Sequence, residues 1–279
     1  MTTLDFAEWI GRTETVRDDL ARSQAAAAAA LFDESLTRPG SDWLPPLWHW
    51  FYFLPTAPQS RLTDDGHPER GTFMPPVPFP RRMFAGSRVT FRAPLRLGVP
   101  AVREGIIRNV SVKDGRSGRL AFVTVGYTIR QEGQLCLEEE QDIVYREPGA
   151  PVAAPTVREF SPAALDAWTR DVMPDSRLLF RFSALTFNAH RIHYDREYAK
   201  RDEGYPGLVV HGPLNAMLLA NLVRQHTTRP ITAFSFRGIA PVFDLAPFRL
   251  SATPNGDEVA CEVVGPDGSV ALQATARLG

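Results

Sequence analysis

Three of the chain's six histidines lie close together in its second half, within a polar stretch between apolar segments. The turn that runs from residue 186 to residue 195 contains His190 and His193, and His211 follows after a Tyr-Pro-Gly break. The other three are scattered: His49, His67 and His226. Imidazole titrates near neutral pH and can transfer a proton in either direction, so the cluster is suited to acid–base chemistry.

The segment after His211 predicts a helix that begins beside this cluster. Its apolar residues recur at helical spacing, and Gly212 and Pro213 suit a helix start. Free backbone N–H groups at a helix N-terminus attract a developing oxyanion. The Gly212 amide is therefore a candidate oxyanion donor next to a candidate proton-transfer residue.

Composition excludes several classes of partner and location. The formal net charge of −1 gives no broad attraction to nucleic acid or to an anionic membrane. No apolar run reaches membrane-spanning length, and the N-terminus lacks the apolar centre of a signal peptide. Cys136 and Cys261 are too few and too distant for a disulfide framework or a zinc site. We expect a cytoplasmic protein without nucleic-acid or membrane partners, and we leave a homo-oligomer open.

Helices and strands must hold the cluster in place. Helical patterns lie at Asp5–Gly11, Asp18–Leu36 and Ser161–Arg170, and a short β-type run lies at Leu178–Phe182. Eight further strands, four in each half, carry β-branched or aromatic residues between turn residues: Arg88–Leu95, Ala101–Lys113, Arg119–Gln131, Gln134–Tyr145, Ile231–Ile239, Phe248–Pro254, Glu258–Val264 and Val270–Leu278.

Two segments of the first half could border a pocket. The aromatic run Trp43–Leu54 is interpreted as a buried core element with His49 as a hydrogen-bonded core residue, and a pocket wall is the alternative. Pro55–Pro80 predicts a long loop or covering flap, whose Phe73–Phe79 part could close over a pocket. The turn Lys113–Gly118 could contact a phosphate or be a solvated hairpin.

The two halves repeat each other. Each has helical material first, then a strand that bears Phe-Arg and a nearby proline, then three more strands. Residues Glu147–Thr156 read as a linker, which predicts domains at 1–147 and 157–279. A helix wrapped by long antiparallel strands is a hot-dog layout, so the predicted fold is α+β, a double hot-dog whose sheets can pair edge to edge.

The histidine motif resembles that of the MaoC-like enoyl-CoA hydratases, the type 2 hydroxyacyl-thioester dehydratases. Their motif runs roughly S-G-D-x-N-P-x-H and is followed by a helix that opens with H-G-M. Here the residues are Thr-Phe-Asn-Ala-His-Arg-Ile-His at 186–193 and His-Gly-Pro at 211–213. The resemblance covers nearly the whole chain and is closer to two-hot-dog members that hydrate mesaconyl-CoA or itaconyl-CoA.

The resemblance implies that water adds reversibly to a 2-enoyl-CoA thioester, with no metal and no cofactor other than the CoA of the substrate. His193 takes the position of the family histidine and Gly212 that of the oxyanion donor. Asn188 stands where the family has aspartate, and an amide cannot accept a proton at neutral pH. Asn188 would then position the water, while His190 or Asp195 could supply the missing acid–base group.

The resemblance suggests a short branched or dicarboxylic acyl group, whose distal carboxylate an arginine such as Arg191 or Arg181 could bind. His190, Tyr194 and His211 are further candidates for substrate contact, although each could be structural. Three alternatives stay open: an inactive copy, a thioesterase on the same scaffold, and a non-catalytic acyl-CoA-binding protein.

Overall fold

The structure is a computed structural model that describes residues 4–35, 42–115 and 118–279. The strands of the first half are β1 Thr13–Asp18, β2 Arg81–Phe91, β3 Ala101–Gly115, β4 Gly118–Gln131 and β5 Gln134–Arg146. Those of the second half are β6 Trp168–Val172, β7 Ile231–Gly238, β8 Phe248–Asn255, β9 Glu258–Val264 and β10 Val270–Leu278. The helices are α1 Arg22–Leu31, α2 Ser176–Leu185, α3 Arg196–Arg201 and α4 Gly212–His226.

The described strands join into one ten-stranded antiparallel sheet, in the order β1-β3-β4-β5-β2-β7-β10-β9-β8-β6. Read from each edge inward, both halves follow the same path: a short edge strand, a three-strand meander, then one inner strand. The internal repeat that the sequence predicts is therefore present in the topology.

The halves meet where β2 pairs with β7. These are the two strands that carry the repeated Phe-Arg pattern, and their register places Val89 opposite Phe234 and Ser87 opposite Phe236. Each inner strand satisfies the backbone groups that the other would otherwise leave open at an edge. The sheets pair edge to edge, as predicted.

Helix α4 is the core element of the second half. Each residue from Leu214 to Val223 is buried, which is typical of a helix enclosed on all sides. Its side chains share one apolar cluster with the inner face of the sheet, including Phe234, Phe248 and Leu250. This burial fixes where the helix begins, and hence where Gly212 lies.

The predicted β-type run at Leu178–Phe182 is wrong, because these residues belong to helix α2. The side chain of Asp175 caps the helix by accepting a hydrogen bond from the Leu178 N–H at 2.8 Å. Leu179, Phe182 and Ser183 are buried, a spacing of three and four residues that puts them on one helical face.

The three predicted helices also need correction. Asp5–Gly11 forms only a single 3₁₀ turn at Ala7–Trp9. In Asp18–Leu36 the helix is the shorter α1, Asp18 ends β1, and the predicted C-terminal end lies outside the described residues. Ser161–Arg170 is not helical: its last residues enter β6, which pairs with β8.

The eight other predicted strands correspond to β2–β5 and β7–β10. Residues 147–167, all of them described, form neither helix nor strand; the domain limits 1–147 and 157–279 stay a prediction. The tip of the turn Lys113–Gly118, residues 116–117, lies outside the described residues. The described helices lack the length and apolarity that a membrane crossing requires.

Candidate active site

The motif loop begins where α2 ends. The Thr186 hydroxyl donates to the Phe182 carbonyl at 2.8 Å and closes the last helical turn. Phe187 then adopts the left-handed region at φ 49°, at the position where the resembled motif has glycine. The Asn188 Oδ1 accepts a hydrogen bond from the His190 N–H at 3.0 Å. This turn holds the amide oxygen, so Asn188 offers its NH₂ group to a ligand.

His193 is positioned as a proton acceptor. Its Nδ1–H donates to the Val209 carbonyl at 2.7 Å, which leaves Nε2 with a free lone pair. Burial lowers the pKa of His193 to about 4, against the opposing effect of the Val209 hydrogen bond. The ring is therefore neutral at physiological pH and able to take a proton from water.

His211 supports His193 from one side. The two rings stack with centroids 3.6 Å apart, and His211 Nε2 forms a hydrogen bond of 2.9 Å with the Ser183 hydroxyl. Burial, followed by the charges of His193 and His190, lowers the pKa of His211 well below its usual value. Its buried Nδ1 has no hydrogen-bond partner among the described residues.

Gly212 is the first residue of α4, and Pro213 follows it in the first turn. A first-turn N–H has no partner within its own helix. Gly212 and His193 line the same cavity. A thioester oxygen in that cavity can therefore meet a helix N-terminus while its carbon skeleton faces an imidazole.

The structure adds two residues that the sequence analysis left unused, Asp65 and His67 on the loop of the first half. The His67 ring lies against that of His190, with centroids 4.2 Å apart, and His190 in turn meets His193 edge to face at 5.5 Å. His67 Nδ1 pairs with Asp65 Oδ2 at 3.0 Å. Four histidines thus form a continuous row across the two halves.

Burial lowers the pKa of His67, and its hydrogen bond to Asp65 opposes this shift. The Asp65 carboxyl shows the reverse: burial acts to raise its pKa, but the hydrogen bond and charge of His67 lower it overall. Burial and the charges of His67 and His193 lower the pKa of His190. Asp65 is therefore the carboxylate of this row.

Within the described ranges, one group of side chains could hold a metal ion: Asp65, His67 and His190, whose ligand atoms all lie within 4.8 Å of one another. Two of these groups already form a hydrogen bond, because His67 Nδ1–H donates to the Asp65 carboxylate. This arrangement suits proton transfer more directly than metal binding.

The site opens into a cavity of about 1300 Å³ between the halves. It is larger than a typical small-molecule pocket, which leaves room for an acyl thioester and part of its carrier. Its lining includes the candidates Asn188, His190, His193, Tyr194, His211 and Gly212.

Three candidates near the motif do not line this cavity. Arg191 forms an ion pair with Asp195 at 2.8 Å and donates to the Asp64 carbonyl at 3.1 Å. Asp195 also caps α3 by accepting from the Tyr198 N–H at 3.0 Å. Arg181 is exposed on α2, outside the cavity lining. These three side chains hold the loop or face solvent, and they do not contact the space where substrate would lie.

The aromatic run of the first half, Trp43–Leu54, contributes both to the buried core and to the wall of the cavity. Trp48 and Phe51 are fully buried core residues, whereas Trp50, Tyr52 and Phe53 line the cavity. His49 is a hydrogen-bonded core residue, as predicted, with Nε2 3.0 Å from Glu139 Oε2. The run forms a short 3₁₀ turn, Trp48–Phe51.

The predicted flap also covers the cavity. His67, Phe73 and Met74 line it, while Val77 and Phe79 pack into a separate apolar cluster of the first half. Arg70 braces the flap internally by donating to the Phe79 carbonyl at 2.7 Å, and its guanidinium lies over the Tyr145 ring of β5, 4.7 Å from the ring centroid.

The lowered histidine pKa predicts acid-sensitive folding. Below about pH 6.5 a histidine of the unfolded chain takes up a proton, whereas folded His193 stays neutral until about pH 4. Unfolding then binds a proton, and stability falls as the pH drops through this window. At pH 5 the buried, neutral His193 should by itself lower the free energy of unfolding by about 2 kcal/mol relative to pH 7.5. Urea unfolding at the two pH values measures this difference.

The matched variant is His193→Gln, which cannot titrate in this range. Its loss of stability between pH 7.5 and pH 5 should be smaller than that of the wild type by about 2 kcal/mol. Equal losses in the two proteins would contradict the assignment of a neutral, buried His193.

Comparison with known proteins agrees with this geometry. A model of the hydroxyacyl-thioester dehydratase type 2 family matches residues 47–244. The chain is 66% identical to the mesaconyl-C(4)-CoA hydratase of Chloroflexus aurantiacus over the full length of both proteins.

Two solved structures support the fold. A MaoC-like dehydratase from Phytophthora capsici superimposes with a TM-score of 0.72 at 13% identity, covering 99% of this chain and 98% of that one. A Mycobacterium tuberculosis protein with a double hotdog fold matches with a TM-score of 0.54 at 12% identity, covering 97% and 96%. The α+β double hot-dog architecture is confirmed, and the chain belongs to the hydroxyacyl-thioester dehydratase type 2 family.

Proposed function

We propose that the protein adds water reversibly to the double bond of a short dicarboxylic 2-enoyl-CoA, such as mesaconyl-C4-CoA. The observation that carries the proposal is a neutral imidazole with a free Nε2, His193, on the same cavity as the amide at the start of α4. The relative's name supplies the acyl group.

The reaction needs a base for water and a donor for the enolate-like oxygen. His193 Nε2 accepts a proton as the water oxygen bonds to the β-carbon of the thioester. The electron pair of the double bond moves to the thioester oxygen, which the Gly212 N–H stabilises. The α-carbon then takes up a proton while His193 gives up the one it removed from water, so that hydroxyl and hydrogen have been added across the bond and the base is neutral again.

Asn188 orients the water. Its Oδ1 is held by the His190 N–H at 3.0 Å, so its NH₂ group is left to donate to the water oxygen. This role needs no change of protonation, which fits an amide at the position where the family has aspartate.

Arg82 supports a dicarboxylic substrate. Five arginines line the cavity: Arg70, Arg81, Arg82, Arg103 and Arg146. Arg82 is half-buried, and within the described ranges its side chain has no hydrogen bond or ion pair. Its neighbour Arg81 pairs with Glu203 at 3.1 Å. Burial lowers the pKa of His67 and His190, and the positive charge of Arg82 adds to this lowering, so Arg82 lies within electrostatic reach of the histidine row.

This position suits the chemistry of a mesaconyl thioester. Its second carboxylate is bonded to the β-carbon, where water adds, so a cation that binds it must lie beside the proton-transfer groups. A charge-assisted contact to carboxylate also offsets the repulsion between that carboxylate and the incoming oxygen.

Replacing Arg82 with methionine should therefore change substrate preference. We expect the ratio of kcat/KM for mesaconyl-C4-CoA to that for crotonyl-CoA to fall by about 100-fold, or about 2.7 kcal/mol. Both substrates carry the same CoA, so loss of a CoA contact would lower both and leave the ratio unchanged. Arg181→Met, on the exposed face of α2, is the matched control and should keep the wild-type ratio.

The proposed function is tested by absorbance of the enoyl-thioester band across a panel of acyl-CoAs that includes mesaconyl-, itaconyl- and crotonyl-CoA. We expect loss of the band and formation of a hydroxyacyl-CoA, with mesaconyl-C4-CoA the best substrate. Release of free CoA instead would indicate a thioesterase, and tight binding without turnover would indicate an acyl-CoA-binding protein. Either result would overturn the proposal.

The remaining expectations form part of the same proposal. The reaction uses no metal or cofactor beyond substrate CoA, and the enzyme works in the cytoplasm, in keeping with two buried, unpaired cysteines. The residues assigned to the site all belong to one chain, so the site needs no second copy. A homo-oligomer remains part of the proposal.

A further inference from the structure

We propose that Asp65 and His67, on the flap of the first half, form the second proton-transfer group of the site and replace the carboxylate that Asn188 lacks. This inference rests on the proposed function and assigns two residues to its chemistry. It explains how a motif with an amide in place of its acid can still move two protons.

The Asp65–His67 pair is oriented so that the ring faces the cavity. His67 lines the cavity, whereas Asp65 does not, so the carboxylate lies behind the ring. Asp65 Oδ2 accepts from His67 Nδ1 at 3.0 Å, and Asp65 Oδ1 accepts from the His67 backbone N–H at 2.9 Å and from the Thr63 hydroxyl at 2.5 Å. These contacts fix one tautomer and leave His67 Nε2 as the other ring nitrogen, free to exchange a proton.

The flap that carries this pair packs directly against the motif loop. The Arg191 N–H donates to the Asp65 carbonyl at 2.9 Å. Gly66 has φ +92°, and a Cβ built there would lie 1.8 Å from the Ala189 carbonyl oxygen. Only glycine permits this approach. The flap is therefore built against the loop that carries Asn188 and His190.

The row of histidines offers a path for a proton from the attacking water to the α-carbon. His193 takes a proton from water when the C–O bond forms. His193 passes this proton to the adjoining ring of His190, and His190 passes a proton on to His67, whose imidazolium Asp65 stabilises. His67 then donates to the α-carbon as the enolate collapses. All three rings begin and end neutral, and the net change is hydroxyl on the β-carbon and hydrogen on the α-carbon.

The test uses full-length His67→Gln, assayed with the enoyl-CoA that the wild type hydrates best. We expect kcat to fall at least 100-fold, the range typical of a lost acid–base group, with KM within about threefold. His226→Gln is the matched control: this histidine stacks on Trp168, lies outside the cavity lining, and should keep kcat within about twofold. A kcat for His67→Gln within threefold of the wild type would overturn the proposal.

A rescue experiment separates chemistry from structure. Adding Asn188→Asp to His67→Gln restores a carboxylate at the family position, and we expect kcat to recover at least tenfold relative to the single variant. Asp65→Asn should be rescued in the same way, and it serves as the test if His67→Gln does not fold. A double variant no faster than the single variant would assign the pair a structural role and overturn the proposal.

Two further outcomes are separated by the same assays. Dialysis of the wild type against EDTA should leave its activity unchanged. Activity lost to EDTA and restored by Zn²⁺ would instead indicate a metal held by Asp65, His67 and His190, and it would overturn the proposal. A wild type that turns over no enoyl-CoA defeats the proposed function, whereas an active wild type with an equally active His67→Gln defeats this inference alone.

Discussion

Replacing His193 with alanine should lower kcat for hydration by about 1,000-fold, equivalent to about 4 kcal/mol of transition-state stabilisation. The side chain is the base with a free Nε2, and its Nδ1–H is already committed to the Val209 carbonyl. The affinity for the enoyl-CoA should change little, because the loss falls on proton transfer. Stopped-flow or steady-state absorbance at the enoyl-thioester band, with calorimetric binding of a non-reactive acyl-CoA, measures both quantities.

Because His193 is buried, alanine also leaves space beneath His211. His193→Gln, which keeps more of the side-chain volume, should show a similar loss of kcat with a melting temperature nearer to the wild type. His226→Ala is the control for removing an imidazole outside the site. A decrease of less than about tenfold in His193→Ala, under about 1.4 kcal/mol, would remove His193 from its assigned role.

The second large effect concerns stability and lies in the first half. Glu139 is 4% exposed and accepts from His49 Nε2 at 3.0 Å, Trp50 Nε1 at 2.9 Å and the Ser87 hydroxyl at 2.7 Å. Although burial acts to raise it, the pKa of the Glu139 carboxyl is lowered by the charge and hydrogen bond of His49 and by the hydrogen bond from Ser87. The carboxylate therefore organises the buried polar groups of this half.

Glu139→Ala should lower the free energy of unfolding by about 3–5 kcal/mol, since it leaves buried donors without an acceptor. The matched control is Glu138→Ala, one residue earlier on β5, where the exposed carboxylate pairs with Arg92 at 2.7 Å and should contribute at most about 1 kcal/mol. Urea unfolding at pH 7.5 measures both variants. Similar losses in the two would show that the buried network does not stabilise the fold.

Much of the fold could be predicted because strands carry local signals. The strands β2–β5 and β7–β10 contain β-branched and aromatic residues between turns. The repeated Phe-Arg pattern indicated the internal repeat, and the structure shows that the two strands bearing it pair at the centre of the sheet. Helix α2 was missed because its apolar residues are nearly consecutive. The capping residue Asp175, together with buried positions three and four residues apart, was the available signal.

The sequence predicted only those residues of the site that lie close together along the chain. The motif spacing placed His193 and Gly212 on one cavity. His67 lies more than a hundred residues from His193 in the sequence, and nothing in the flap's composition says on which loop it will dock. The usable signal was the Asp-Gly-His order at 65–67, a carboxylate and an imidazole separated by a glycine that tolerates close packing.

The outer strands of the sheet bear on how the protein behaves at high concentration. β1 and β6 are only 6 and 5 residues long, and they carry Glu14, Arg17, Asp18, Arg170 and Asp171. Short, charged borders resist the addition of a strand from a neighbouring molecule. Lateral polymerisation into fibres is thereby disfavoured, and any self-association should proceed through another surface of the molecule.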